Sequence, residues 1–244
     1  MLINNQNQKT MVNEVLYEDN HIIVVNKITG DIIQADITLD STLRDVVRDY
    51  LKEKYDKPGN VFLGVVHRLD RPVSGAVIFA KTSKALARLN DMFKNREVRK
   101  VYWAIVDTPP NPSEGKLVNY LWRNQTKNKS FVATETTKKS SYAELDYKHI
   151  ASSDRYHLLE IELHTGRHHQ IRAQLSAFGC RIKGDLKYGF PRSNPDASIH
   201  LHARRLEFLH PVKGEMVTIV APLPVDPLWN YFGKVTSQQE TPGA

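Results

Sequence analysis

The chain has 244 residues, of which 41% are hydrophobic and 25% charged, and it contains one cysteine. A chain of this size can bury a substantial core, and a single cysteine excludes an intrachain disulfide or a multi-thiolate metal site, which fits a reducing compartment. The formal net charge of +7 favours an anionic partner such as a phosphate backbone, although charge alone does not identify that partner.

The first part of the chain alternates strand and helix patterns. Residues 14–27 predict two short strands, because the tight-turn sequence EDNH interrupts two apolar runs. Helical spacing predicts a helix capped by Asp40 or Ser41 and a second helix capped by Ser83. Between them lie two β-branched runs, VFLGVVH and GAVIFAK, joined by a loop that contains Asp70. This succession favours a mixed α/β or α+β domain.

The second part of the chain begins with RKVYWAIV, a strand pattern that places Tyr102 and Trp103 on opposite faces. Residues 109–140 are rich in Pro, Asn, Lys and Thr, which predicts loops with a short hairpin outside the core. The runs SYAELDYKHIA and YHLLEIELHTG predict an antiparallel pair, followed by a helix through Ile171 that ends at Gly179. Two more strands and a short helix complete the pattern.

No linker divides the chain, so we expect one domain over residues 14–233. Residues 1–13 and 234–244 are polar and lack an apolar face, which predicts a flexible segment at each end. No apolar run reaches the length of a secretory signal or a membrane span. We therefore expect a cytoplasmic, monomeric protein without a membrane partner.

Three segments concentrate polar groups: HRLDR around Asp70, KVY ending at Tyr102, and HTGRHHQIR ending at Arg172. If Arg172 meets Asp70 across a cleft, its charge keeps the carboxylate ionised and available as a nucleophile at neutral pH. Spacing alone favours the alternative of a structural ion pair between Asp70 and Arg68 or Arg71. An isolated strand tyrosine such as Tyr102 is likewise more often a packed core ring.

Other chemistries lack their usual motifs. The helix start after Gly166, with Arg167 beside it, suits a phosphate group. The histidines between His164 and His202 have no zinc-protease glutamate or cysteine partner, and the arginines among them repel a cation, so we expect no metal. Glycine-rich nucleotide-binding motifs are absent, which predicts no cofactor. No second carboxylate accompanies Asp70 in these segments, which disfavours a glycoside hydrolase.

Three motifs together resemble the RluA-type pseudouridine synthases, in the order and approximate spacing of that family. They are HRLDRPVSGAVIFAKT, RKVYWAIV and GRHHQIRAQLSAFGCRIKGDLKYG, and the likeness extends from about Val15 to Leu223. The resemblance implies an α+β fold, with a mixed, largely antiparallel sheet around a central cleft flanked by helices and loops. It also implies isomerisation of uridine to pseudouridine in structured ribosomal or transfer RNA, without metal or cofactor. We expect no N-terminal RNA-binding module of the kind that many members carry.

The resemblance also assigns roles to individual residues. Asp70 is the expected catalytic carboxylate, Tyr102 stacks on the uracil, and Arg172 pairs with Asp70. The residues expected to bind RNA or the target base are Arg68, which inserts where the base leaves the stack, Ile171, which lines the base pocket, and His67, Arg167, His169 and Gln170. Two alternatives stay open: a catalytically silent RNA-binding protein on the same scaffold, and a hydrolytic glycosidase that releases free uracil.

Two positions depart from the family pattern: NKITG replaces a proline-containing run, and Val73 stands where threonine is usual.

Overall fold

The computed structural model describes residues 14–34 and 41–239. Within these residues the chain forms one sheet of eleven strands and four α-helices. The strands are β1 Val15–Glu18, β2 Ile22–Lys27, β3 Gly64–Val65, β4 Ser74–Ala80, β5 Arg99–Val106, β6 Glu114–Asn124, β7 Lys129–Ala133, β8 Ser141–Ser152, β9 His157–Leu163, β10 Leu201–Leu209 and β11 Met216–Val220. The helices are α1 Leu43–Lys54, α2 Ser83–Lys94, α3 Gln170–Ala177 and α4 Pro227–Gln239.

The sheet is mixed and largely antiparallel, as predicted. Its strands follow the order β1-β2-β4-β10-β5-β9-β8-β6-β7, with β11 paired to β10 and β3 paired to β4. The one parallel pairing among the described strands joins β10 to β4. Because β10 lies between β4 and β5, the late part of the chain brings the loop before β4 close to the strand that carries Tyr102.

Gly75 makes the contact between β4 and β10 possible. Its φ of +118° lies in a region that other residues rarely adopt, and a Cβ atom there would lie 2.4 Å from the carbonyl oxygen of Ala203. Ala203 is the residue paired with Gly75 in the parallel ladder. Any larger residue would therefore separate the two strands beside the Asp70 loop.

Helices cover both faces of the central strands. Val25 and Val77 pack with Val47 of α1, whereas Val24 and Ile78 pack in a different cluster against α2. Every residue of β4 is buried in consequence, which explains its continuous apolar sequence. No helix of the described residues is both long enough and apolar enough to cross a bilayer.

The structure corrects both predicted helix caps. The hydroxyl of Thr42 accepts from the Asp45 N–H and the Asp45 carboxylate accepts from the Thr42 N–H, so Thr42 caps α1 rather than Ser41. Asp40, the other predicted cap, lies outside the described residues. Thr82 caps α2 in place of Ser83, because its hydroxyl accepts from the N–H three residues ahead.

Two predicted boundaries also change. The segment 109–140 contains β6, an eleven-residue strand that pairs with β8 over eight positions, so it is part of the sheet and not an excursion from it. The last helix runs to Gln239, so residues 234–239 continue α4 instead of starting a tail. The remaining predicted end segments, 1–13 and 240–244, lie outside the described residues.

Candidate active site

Asp70 lies in a turn between β3 and β4 that buried donors hold in place. The N–H of Val73 donates to the carbonyl of Asp70 at 3.0 Å and closes the turn. The ammonium group of Lys27, which is fully buried, donates to the carbonyls of Arg71 at 3.1 Å and Val73 at 2.6 Å. Lys27 therefore clamps the backbone on the C-terminal side of Asp70. Sequence reasoning missed this residue, although a lysine ending the apolar run IIVVN was a visible signal.

Arg172, on α3, joins two carboxylates. Its Nη1 donates to Asp70 Oδ2 at 2.9 Å, while Nε and Nη2 donate to the two oxygens of Asp185 at 2.7 and 2.8 Å. Burial opposes the charge of Arg172, but the hydrogen bonds and charges of Asp185 and Asp70 raise its pKa above the ordinary value. Arg172 is thus a permanent cation, oriented by Asp185 and directed at Asp70. Asp185 belongs to the GDLKYG segment but was not itself predicted.

The contacts of Asp70 converge on one of its two oxygens. Arg172 Nη1 and, at 3.5 Å, His169 Nε2 both face Oδ2. Oδ1 accepts no hydrogen bond from any residue that the structure describes, and the side chain is 28% exposed. One oxygen is therefore anchored, while the other has no hydrogen-bond partner among the described residues and is not fully buried. A carboxylate held in this way is suited to nucleophilic attack or proton acceptance.

Tyr102 and Ile171 provide an apolar wall beside this carboxylate. Both belong to the cluster that packs against Leu69, the residue before Asp70, and they are 7% and 4% exposed. Burial and, second, the negative charge of Asp70 raise the pKa of Tyr102 above its ordinary value, so the phenol is protonated at neutral pH. The structure brings together Asp70, Tyr102, Arg172 and Ile171 from three distant segments of the chain.

Gln170 organises the protein itself. It is buried, and its Oε1 accepts from the Thr165 hydroxyl at 2.7 Å and from the Arg167 N–H at 3.0 Å. Its Nε2 donates to the carbonyl of Glu144 at 3.1 Å. The Arg167 N–H, expected from the sequence to face a phosphate, is therefore satisfied within the turn. The helix begins only at Gln170, so His168 lies before the helix and does not share a helical face with Arg172.

The other predicted RNA contacts divide between surface and interior. Arg68 is exposed and has no hydrogen-bond or ion-pair partner among the described residues. Arg167 is exposed as well, with its Nε bonded to the Tyr142 carbonyl at 2.8 Å. His67 instead accepts from the Ile78 N–H at 3.1 Å and stacks on Phe93, and burial lowers its pKa to about 3. The contacts of His67 thus hold β4 and α2, which separates it from the residues that contact Asp70.

A group of basic side chains borders the Asp70 site, most of them on the β6–β7 hairpin, in the segment where the sequence predicted loops with a short hairpin. The tip of the β6–β7 hairpin contacts the turn before α3 through Asn128, whose side-chain oxygen lies 3.1 Å from His168 Nε2 and accepts from Arg123 at 3.1 Å. Lys187 donates to the Asn128 carbonyl at 3.2 Å. We define the basic rim as four residues of the hairpin and the turn after α3: Arg123, Lys127, Lys129 and Lys187. The rim supplies positive charge at the edge of the Asp70 site.

The amino-acid sequence of the chain is similar to those of known proteins. A family model described as RNA pseudouridylate synthase matches residues 21–177. Ribosomal large subunit pseudouridine synthase D of Zymomonas mobilis is 32% identical over 223 residues, which are 87% of this chain and 70% of that protein. The dual-specificity RNA pseudouridine synthase RluA of Escherichia coli is 33% identical over 215 residues, 85% of this chain and 92% of that protein.

A solved structure shares the fold. Human RNA pseudouridylate synthase domain containing 4 superposes with a TM-score of 0.77 at 24% identity, over 89% of this chain and 91% of that one. The sheet and helices described above are therefore those of this structural family.

Proposed function

The chain belongs to the RNA pseudouridylate synthase family, and we propose that Asp70 is the carboxylate with which it isomerises uridine to pseudouridine. The enzyme is an RNA pseudouridine synthase, an isomerase. The single observation that carries the assignment of Asp70 is the pairing of its Oδ2 with a buried arginine while Oδ1 is open.

This geometry supports covalent or electrostatic participation of Asp70 in breaking the glycosidic bond. Oδ1 is accessible to the ribose of a bound nucleotide, and a carboxylate nucleophile divides a difficult bond exchange into easier steps. Arg172 binds Oδ2 without occupying Oδ1. Tyr102 and Ile171 offer an apolar surface on which the freed uracil can be retained until it is rejoined through carbon.

We further propose that the substrate is a structured ribosomal or transfer RNA whose target uridine is flipped out of its stack. Unstacking a base costs a few kcal/mol, which phosphate contacts and stacking offset. The basic rim, with the exposed Arg68 and Arg167, supports such contacts. The name of the Zymomonas relative specifies the large ribosomal subunit, and that of the Escherichia coli relative specifies dual specificity. The first name supports ribosomal RNA as the first substrate to test, and transfer RNA is the second candidate that the motif resemblance implies.

Replacing the carboxylate tests the assignment. Asp70→Asn should abolish the release of tritium from RNA whose uridines carry tritium on carbon five. RNA affinity measured by filter binding should be unchanged, because the amide is nearly isosteric with the carboxylate but uncharged. Asp154→Asn is the matched control, since Asp154 is exposed in the turn between β8 and β9, away from the Asp70 site. Turnover by Asp70→Asn at the wild-type rate would refute the assignment.

The same experiment separates the rival interpretations. A silent RNA-binding protein gives affinity without product, and a glycosidase gives free uracil that chromatography detects. Arg172→Ala should reduce activity more than Arg205→Ala, because Arg172 contacts Asp70 whereas Arg205 contacts Glu207 at 3.0 Å. Equal losses would indicate that Arg172 contributes only bulk positive charge.

A further inference from the structure

Two imidazoles lie side by side before α3, and only one of them faces Asp70. The rings of His168 and His169 stack with their centroids 3.8 Å apart. His169 Nε2 lies 3.5 Å from Asp70 Oδ2, whereas the two ring nitrogens of His168 contact the β6–β7 hairpin, at Ser130 Oγ and at Asn128 Oδ1. The two histidines thus have the same ring in neighbouring positions but different partners.

The partners of the two ring nitrogens of His169 determine which nitrogen carries the hydrogen. His169 Nδ1 lies 3.0 Å from the Tyr188 hydroxyl. The oxygen of that hydroxyl accepts from the N–H of Ser130 on β7 at 2.9 Å and lies 3.1 Å from the Ser130 carbonyl. An ionised carboxylate only accepts hydrogen bonds, so Nε2 beside Asp70 is favourable only when it bears the hydrogen. In that tautomer Nδ1 bears no hydrogen, so the single phenolic hydrogen of Tyr188 is donated to Nδ1 and not to the Ser130 carbonyl.

The ring is neutral and its backbone is constrained. Burial and, second, the charge of Arg172 lower the pKa of His169 to about 2, so the imidazole adds a dipole beside Asp70 and no second positive charge. The φ of His169 is +53°, a left-handed conformation that is uncommon for residues other than glycine. Residues in such conformations persist where the surrounding structure holds them, and they concentrate at functional sites.

We propose that His169 is a positioning residue for Asp70: the Tyr188 hydroxyl orients its ring so that Nε2–H, together with Arg172, fixes Oδ2 and leaves Oδ1 directed at the target ribose. This inference rests on the proposed function, in which Asp70 acts on the ribose. It assigns His169 a role within the protein in place of the RNA contact expected from the sequence. The distance of 3.5 Å between His169 Nε2 and Asp70 Oδ2 is long for a hydrogen bond. The contribution of His169 is therefore to orient the carboxylate and not to bind it strongly.

The test compares His169→Phe, His169→Gln and His168→Phe in single-turnover reactions at saturating enzyme. His169→Phe keeps a ring without donors and should slow the reaction roughly tenfold to hundredfold, as expected for a misplaced reacting group, with the RNA Kd within about twofold of wild type. His169→Gln restores an N–H near the position of Nε2 and should recover part of the rate. His168→Phe, the matched control, should react within about twofold of wild type.

Tyr188→Phe removes the hydroxyl that orients the ring, together with the contacts of that hydroxyl with Ser130 on β7. It should lower the rate, and in combination with His169→Phe it should add no further loss, because both changes disrupt the same contact. If His169→Phe fails to fold, the single variant Tyr188→Phe still tests the proposal.

Two outcomes overturn the proposal. One is a raised RNA Kd with an unchanged single-turnover rate for His169→Phe, which would make His169 an RNA contact. The other is a full additive loss in the double variant. Asp70→Asn, measured in parallel, distinguishes failure of the positioning role of His169 from failure of the proposed function of Asp70. If Asp70→Asn is inactive while His169→Phe reacts at the wild-type rate, only the positioning role fails; if Asp70→Asn is active, the proposed function fails.

Discussion

Asp185→Asn should show how strongly the buried cation depends on its second carboxylate. Asp185 is 1% exposed, and its two oxygens accept from Arg172 Nε and Nη2 at 2.7 and 2.8 Å. The asparagine has nearly the same shape, but it removes the negative charge and turns one acceptor into an N–H₂ group that opposes an N–H of Arg172. Only Asp70 then remains to compensate a guanidinium that is 5% exposed.

The expected loss of stability follows from this burial. Removing one partner of a buried ion pair costs about 3–5 kcal/mol, because the remaining charge is left poorly compensated inside the protein. Asparagine retains one acceptor and Asp70 retains its contact, so we expect the lower end, about 3 kcal/mol. The single-turnover rate should fall at least about tenfold as well, since an Arg172 free to rotate no longer fixes Asp70 Oδ2.

Urea unfolding followed by circular dichroism measures this loss, with Asp107→Asn as the control. Asp107 also pairs with an arginine, Arg181, at 2.8 Å, but that arginine side chain is 46% exposed, against 15% for Asp107. Asp107 Oδ1 accepts from the Arg181 N–H at 3.0 Å as well, and the side-chain oxygen of asparagine can retain this bond. Exposed pairs contribute about 0–1 kcal/mol, so Asp107→Asn should be nearly neutral. A loss below about 1 kcal/mol for Asp185→Asn, or equal losses for the two variants, would refute the reasoning from burial.

Three further predictions concern RNA affinity, pH and helix capping. Lys127→Ala and Lys187→Ala should each reduce the slope of log affinity against log salt by about 0.7–0.9 in filter binding, whereas Lys148→Ala, on β8, should not; equal slopes for all three would contradict a role for the basic rim. Burial lowers the pKa of Lys27 from 10.5 to about 8, so the unfolded chain binds one more proton between these values and this group adds stability as pH rises. Lys27→Met should remove that increment when urea unfolding is compared at low and high pH within this window, and an unchanged pH dependence would show that Lys27 has an ordinary pKa. Thr42→Ala should destabilise the protein by about 1 kcal/mol and Ser41→Ala should not, and the reverse result would restore the cap predicted from the sequence.

The sequence was sufficient for most strands and for the three motif segments because both depend on local patterns, whereas the length of β6 and its pairing with β8 were missed. Apolar runs predicted β1, β2, β4, β5, β8, β9, β10 and β11. Clusters of polar residues marked Asp70, Tyr102 and Arg172 as candidate site residues. The parallel pairing of β4 with β10 was beyond local pattern, since it joins Gly75 to Ala203. Even so, the glycine after Ser74 carries the signal, because only a residue without Cβ fits so close to another backbone.

The residues missed by sequence reasoning share a physical reason. Lys27, Asp185 and Tyr188 act on the site through buried hydrogen bonds to other protein groups, and such pairings depend on tertiary structure. Gln170 shows the converse: the family resemblance implied an RNA contact, whereas its side-chain amide bonds to the Arg167 N–H of its own turn and to the Glu144 carbonyl of β8. A polar residue in a motif can therefore be conspicuous because the fold needs it.

Several polar groups that are costly to bury lie around the turn of Asp70, in the HRLDR segment. A buried ion pair is often no more stabilising than packed apolar residues, a lysine without a countercharge in contact is costly to bury, and a left-handed histidine is strained. All three features converge on the turn of Asp70: Lys27 holds its backbone, Arg172 its Oδ2, and His169 faces the same oxygen. Stability alone does not account for this concentration. The proposed role of Asp70, in which one carboxylate oxygen is held fixed so that the other meets the ribose in one orientation, would account for each of them.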